Sequence, residues 1–420
     1  MDHATLAQVK VIVEDGGGRR TCGLGAIFLA DFWAFPDAAL AHEQRDLAMR
    51  RLVERIAEGL RQVRGWDHPV ALFQELDDYF GLWADQVAAE LFPGRAIPRL
   101  AQLVCASPFD AAVHDAFGRQ YERNVFRAYG RDIPGNEVAR YLGPEYGDRC
   151  FADYLLPAPT PRLPIFHLVG GLDPIWEEDG RENADGQRSL KSWIREDGLS
   201  CLKVKLTGKD LDWDLHRLCE VDAAAAEYVT APRYFLTADL NEQAPDQAYV
   251  LELLLKFRER APRGFENLLY VEQPTHRDLR KYPVRMHDVA RLKPVFADES
   301  LDHPSIIDML PELGWSGIAL KTCKGQSHTL LALAIAERHG LRYSIQDLTN
   351  PGLAHLHAVL LGSWTRPVMG IEYNSRQYFP HVSVQVKARH PSAFTVREGT
   401  VDTRSVQGVG LGSGMSELFD

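Results

Sequence analysis

Six short apolar runs in this 420-residue chain end on residues that could do chemistry: Lys203 and Lys205, Asp239 and Asn241, Glu272, Asp298 and Glu299, Lys321, and Glu372. The runs read CLKVK, YFLTAD, LLYVE, VFAD, GIALK and GIE. A single charge at the end of a strand is usually a solvated terminus. Carboxylates on three successive runs, with lysines on the runs before and after, are harder to explain that way, because buried like charges repel unless something neutralises them. One neutraliser is a hard divalent cation. Asp239, Glu272 and Asp298, completed by water and substrate oxygens, suit Mg²⁺, with Mn²⁺ as the alternative, and the lack of histidine among them disfavours zinc. The other neutraliser is the lysines themselves, as salt bridges inside a barrel mouth. With a cation present, an ammonium next to another ammonium is expected to have its pKa lowered toward neutrality, which makes a lysine a general base. A substrate carboxylate on the metal would then become an enediolate on deprotonation, its charge stabilised by the cation.

The elements that position these residues are legible in the pattern. Strands are expected at 165–170, 202–206, 234–239, 268–272, 295–298, 318–321, 343–346 and 368–372, with amphipathic stretches such as LDWDLHRLCEVDAAAAEYV between them. Eight strands alternating with helices predict a (β/α)8 barrel. An open doubly wound sheet shares the alternation but lacks its GxGxxG here. Residues two apart on a strand share a face, so Lys203 projects with Lys205, and Asp239 with Asn241. In a barrel, Lys205 on the second strand and Lys321 on the sixth lie on opposite sides of the ring. Lys324 has the other parity and is expected to anchor its loop or pair with a carboxylate. Upstream, Val9, Val11 and Val13 share a strand face before the turn Gly16–Gly18, a helical pattern runs from about Asp37 to Arg64, and LPAPTPRLP reads as an extended linker.

Composition bounds the rest. The formal charge of −11 argues against a nucleic-acid or anionic-membrane surface, and no apolar run is long enough for a membrane span. The start of the sequence lacks the basic-then-apolar pattern of a signal peptide. The six cysteines are scattered, with no CxxC, so reduced thiols in a cytoplasmic setting are expected. His355 and His357 fall in a helix and point apart. Cys323 is expected to pack rather than react.

KVK at 203–205, ADLN at 238–241, VEQP at 271–274, ADES at 297–300 and LKTCK at 320–324, with gaps of 34, 33, 26 and 23 residues between Lys205, Asp239, Glu272, Asp298 and Lys321, resemble the enolase superfamily, in its muconate-lactonizing-enzyme-like branch. SPFDAAVHDAFGRQ at 107–120 resembles a helix near the end of that family's capping domain. The resemblance implies a modified TIM barrel, (β/α)8-type, with an N-terminal α+β capping domain. The expected divisions are 1–155 for the cap, 156–164 for the linker, 165–380 for the barrel, and 381–420 for a C-terminal segment returning to the cap. It implies Asp239, Glu272 and Asp298 as metal ligands, Lys205 as base with Lys203 as its electrostatic neighbour, and Lys321 as the opposing acid/base. Asn241, Gln346, Asp347 and Glu372 are expected to reach substrate, and Glu299 to orient a lysine. Phe28, Phe32, Trp33 and Phe35, on a cap loop at 25–36, are expected to touch the distal part of the substrate.

The sequence departs from mandelate-racemase-type relatives, which carry a histidine ending strand seven and an aspartate on strand six. It has Gln346-Asp347 and Lys321 instead. Gly370-Ile371-Glu372-Tyr373-Asn374 lacks the paired aspartates of dipeptide epimerases. The expected protein is an isomerase or lyase (racemase or epimerase, dehydratase, or cycloisomerase) acting on a small carboxylate, as a homo-oligomer. The competing readings are a Schiff-base aldolase using Lys205 or Lys321, and a non-catalytic barrel that binds ligand.

Overall fold

A hairpin opens the chain. In the computed structural model, which describes residues 4–176 and 188–415, β1 (Leu6–Glu14) runs antiparallel to β2 (Arg20–Phe28), with Leu6 opposite Phe28 and Glu14 opposite Arg20. Val9, Val11 and Val13 turn inward while Gln8, Lys10, Ile12 and Glu14 are exposed, the expected alternation. The helical pattern forms as His42–Leu60 and starts later than its composition suggests, because the Asp37 carboxylate accepts from the Ala39 N–H at 2.8 Å and holds a turn. The helices Asp77–Leu91 and Arg99–Gln120 complete this part, and their apolar side chains share a core with Phe28, Trp33 and Phe35.

Eight parallel strands follow and close on themselves: β3 (Arg162–Val169), β4 (Cys201–Lys205), β5 (Phe235–Asp239), β6 (Leu268–Glu272), β7 (Val295–Ala297), β8 (Gly317–Lys321), β9 (Arg342–Gln346) and β10 (Ile371–Glu372), with β10 pairing back onto β3. The fold is thus an (β/α)8-type barrel under an N-terminal cap. β3 begins at Arg162, inside the proline-rich stretch, because its first residues pair antiparallel with β11 (Thr400–Asp402), Leu163 facing Val401. The last barrel strand is shorter than its apolar run. Gly370 takes a φ of +84°, and its missing side chain admits the Pro164 carbonyl, which a Cβ would meet at 2.1 Å. All six cysteines are free thiols. The final residues of the expected C-terminal segment, 416–420, lie outside the described residues. Among the described residues, no helix is long and apolar enough to cross a membrane.

Candidate active site

Register brings the polar residues together. Lys205 pairs across with Asp239, and Asp239 with Glu272, so three adjacent strands present them at one level of the barrel. Asp298 follows the last residue of β7, and Lys321 ends β8 level with Gln346. β4 and β8 lie four strands apart in either direction around the closed ring, which places Lys205 and Lys321 across the mouth from each other. Beneath them Tyr270 stacks on Phe296 at 4.0 Å, a floor that requires Gly317, where a Cβ would come within 2.4 Å of the Phe296 ring.

The side chains interlock as lysine–carboxylate pairs. Lys203 Nζ donates to Glu272 Oε1 at 2.8 Å and to Gln346 Oε1 at 3.0 Å, and lies 3.0 Å from Asp239 and 3.5 Å from Glu372. Lys205 Nζ donates to Asp239 Oδ2 at 2.6 Å and Asn241 Oδ1 at 2.8 Å. Lys321 Nζ reaches Asp298 Oδ2 at 2.5 Å, and Lys324 Nζ reaches Asp298 Oδ1 at 3.0 Å. Lys205 is the accessible one, its side chain 25% exposed against 5% for Lys321. Among the described residues no three His, Cys, Asp or Glu side chains are arranged to hold a metal ion. The carboxylates are turned toward ammonium groups.

These contacts determine the proton affinities. Burial pushes the Asp239 carboxyl up, but Lys203 and Lys205 outweigh it and hold the group well below the usual carboxylate range. Asp298, buried yet flanked by Lys321 and Lys324, is held at about 2. Glu272 goes the other way, to about 8, through burial and the neighbouring Asp239 charge, because Lys203 is shared among several acids. Lys203 and Lys321 stay above the ordinary lysine value: burial would lower them, but the adjacent carboxylates prevail. The lowering expected beside a bound cation concerns a different charge balance from this one, in which Lys203 and Lys321 each lie against carboxylates.

The other expected residues divide into two groups. Asn241, in the left-handed region at φ +43°, joins Lys205 to Glu299 Oε1, to which its Nδ2 donates at 3.0 Å. Glu299 also accepts from Trp33 Nε1 at 2.8 Å, and the Trp33 ring lies 4.6 Å from Lys321 Nζ and 5.6 Å from Lys324 Nζ. Of the four cap aromatics, Trp33 reaches this cluster, whereas Phe35 is buried against Phe92 and Phe28 packs on Phe379. Gln346 is tied down between Lys203, Glu272 and Ser344. Asp347 faces the loop backbone, accepting from Asn350 N at 2.7 Å and Asn374 N at 3.4 Å. Glu372 is buried beside Lys203. Burial pushes the Cys323 thiol up to about 12, and His355 stacks on Tyr373 at 3.9 Å with Nε2 against the Ala393 carbonyl.

One contributor was not singled out from the sequence. Gln273, at φ +29°, accepts from the N–H groups of Asp298 and Ser300 at 2.8 and 3.1 Å and so holds the loop that carries Asp298. Its place in VEQP, directly after a candidate ligand, was the available signal.

The sequence pattern of the enolase C-terminal domain-like family matches residues 186–417, more than half of the chain. The chain belongs to the enolase superfamily. Solved enolase-superfamily structures share its fold at low identity. A mandelate racemase/muconate lactonizing enzyme from Bordetella bronchiseptica RB50 is 18% identical with a TM-score of 0.63, over 98% of this chain and 95% of that one. A mandelate racemase/muconate lactonizing protein from Herpetosiphon aurantiacus is 19% identical with a TM-score of 0.58, over 98% and 95%. An enolase from Bradyrhizobium, complexed with magnesium and mandelic acid, is 17% identical with a TM-score of 0.58, over 98% and 94%. No curated protein matches the sequence.

Proposed function

We propose that this protein is a Mg²⁺-dependent enzyme that removes the proton α to the carboxylate of a small organic acid. The observation that carries the reading is the placement of Lys205 and Lys321 across one barrel mouth, with Asp239, Glu272 and Asp298 on the strands between them. A Bradyrhizobium relative bound to magnesium and mandelic acid supports both the cation and the acid.

Three buried oxygen donors are the chemistry a hard divalent ion takes, and burial with the neighbouring Asp239 charge pushes Glu272 up to about 8, so a cation there would relieve the crowding once the carboxylates turned from the lysines they now face. Asp239, Glu272 and Asp298 would hold the ion, and bound there it would supply positive charge to a carboxylate undergoing deprotonation. Lys205, the more accessible lysine, takes the α-proton on Nζ, and Asn241 orients that amine through its 2.8 Å hydrogen bond. Lys321 returns or removes a proton at the opposite face. Lys203 keeps its positive charge between Asp239 and Glu272 and does not itself reach substrate. Ligands that drew on Asp239 and Asp298 would weaken the ion pairs these carboxylates make with Lys205 and Lys321. Glu299 and Trp33 fix the cap over Lys321 and shield it from water. Racemisation, dehydration and cycloisomerisation all begin with this step.

The test is exchange of the α-proton in D₂O, followed by proton NMR, over a panel of carboxylic acids with Mg²⁺ present. Exchange is expected in the wild type, reduced by about 10²–10⁴-fold in Lys205→Met or Lys321→Met. A Mg²⁺-loaded protein that binds no carboxylate in the panel would refute the reading.

A further inference from the structure

The helix Gln326–Arg338 follows Lys321 after one short turn, Thr322–Lys324, and Gly325 at its start offers no side chain to its first amides. The partner comes from the capping domain. Asp110, on the helix Arg99–Gln120, accepts from Ser327 N at 2.7 Å and from Ser327 Oγ at 2.6 Å. The free amides at a helix start favour such a carboxylate. The approach is close enough that a Cβ on Gly325 would come within 2.9 Å of Asp110 Oδ2. Behind this contact a buried chain continues. His114 Nε2 lies 2.9 Å from Ser327 Oγ and its Nδ1 2.8 Å from the Tyr129 hydroxyl, to which Gln326 Nε2 donates at 3.4 Å. The Ser327 hydroxyl gives its hydrogen to Asp110, so His114 donates through Nε2 and accepts from Tyr129 at Nδ1.

We propose that Asp110 is a positioning residue for Lys321: by holding Ser327 it fixes the turn 322–325, and with it Lys324, Asp298 and Lys321 as one unit. The turn reaches the site from its other side. Lys324 Nζ donates to the Asp298 carbonyl oxygen at 2.5 Å and to Oδ1 at 3.0 Å, while Lys321 Nζ takes Oδ2 at 2.5 Å. Lys205 is held differently, by Asp239 and Asn241 at the end of β5. Loss of Asp110 therefore acts on one of the two opposed lysines and not on the other. Shape alone does not replace the carboxylate. Asp110→Asn keeps the volume, but its one oxygen can face either the Ser327 N–H or the Ser327 hydroxyl, and its amide then meets a donor at the other. The consequence for catalysis rests on the reaction proposed above, whereas the coupling of the capping domain to the Asp298 loop does not.

Two measurements on the full chain test this. Amide hydrogen–deuterium exchange, read by mass spectrometry, needs no substrate. In Asp110→Asn it is expected to rise about tenfold at 324–329 and also at 298–302, the loop that Lys324 holds, and to stay at the wild-type rate at 201–206 and 236–241. Ser327→Ala, which keeps the backbone bond to Asp110, is expected to show a smaller rise in the same two segments. The second measurement is α-proton exchange of R- and S-mandelate in D₂O with Mg²⁺, mandelic acid being the acid bound by the Bradyrhizobium relative. Lys205 and Lys321 stand on opposite faces, so each enantiomer presents its proton to one of them. Asp110→Asn is expected to slow, by about 10–100-fold, the enantiomer whose exchange is lost in Lys321→Met, and to leave the one lost in Lys205→Met within about twofold of wild type. The proposal is overturned by a rise confined to 326–329, by a rise across every segment in both variants, or by equal loss for the two enantiomers. A wild type that exchanges neither enantiomer counts against the reaction proposed above, and amide exchange at 298–302 then decides the inference by itself.

Discussion

Asp298 holds two lysines at once, Lys321 on one carboxylate oxygen and Lys324 on the other. Both ammonium groups are nearly inaccessible to water, so each depends on that carboxylate for its charge balance. Replacing Asp298 with Asn keeps the shape and removes the charge. In metal-free protein the substitution is expected to destabilise the fold by about 3–5 kcal/mol, read from urea unfolding, because it leaves two buried cations unpaired. Lys324→Met should cost less, since Lys321 alone still pairs Asp298. The sequence identified these residue types and their strand ends, and it allowed Lys324 as the partner of a carboxylate. It also allowed lysine–carboxylate salt bridges in the barrel mouth, but not that Lys203 in particular would be divided among Asp239, Glu272 and Glu372, since that depends on side chains from four different strands meeting inside a ring.

At the scale of elements, the cap depends on an unusually close approach of strand to helix. β2 lies against Arg99–Gln120, where a Cβ on Gly25 would sit 1.9 Å from the Pro108 carbonyl oxygen and one on Gly23 1.9 Å from that of Ala112. Pro108 has no N–H to offer Val104, and the Ser107 hydroxyl donates to that carbonyl instead at 2.9 Å, so the helix continues through the proline. Gly25→Ala is expected to destabilise by about 1–3 kcal/mol through overpacking, measurable by chemical denaturation. The loops after β9 and β10 are tied by Asp347, whose carboxyl burial pushes up to about 7 from an ordinary value of 3.8. The sign follows from proton binding. The folded chain takes up this proton more readily than the unfolded one, so Asp347 costs stability progressively as pH rises through that interval, and the full penalty applies above it. Asp347→Asn, which cannot ionise, should therefore gain stability relative to wild type between about pH 4 and pH 7, seen as converging or crossing urea midpoints across that range.

At the scale of the molecule, the site lies where cap and barrel meet. Trp33 from the cap bonds Glu299 of the barrel, and Arg277 of the barrel donates to the Trp33 carbonyl at 3.2 Å. A ligand held by the three carboxylates should therefore stabilise the whole chain rather than one loop. Mg²⁺ at about a hundred times its Kd is expected to add about 2.7 kcal/mol, read as a rise in melting temperature that EDTA reverses. Asp239→Asn should show no such rise. The net charge of −11 describes the outer surface and says little about this interior, where lysines stand opposite the carboxylates.

The eight strand positions, the residues that end them and the face each occupies were readable in the order of amino acids, because period-two alternation and apolar runs are local properties. That Lys205, Asp239 and Glu272 end successive strands was readable as well, but their standing at one level is a matter of register, which the pairing of β4, β5 and β6 decided. Three-dimensional packing decided the rest. It selected Trp33 from four aromatics on one loop, gave Gln273 its hold on the Asp298 loop, turned Asp347 toward backbone amides, and kept Lys203 and Lys321 protonated by carboxylates. Those outcomes depend on distances between residues far apart in the chain, and proton affinity in a buried cluster follows those distances, which local sequence does not encode.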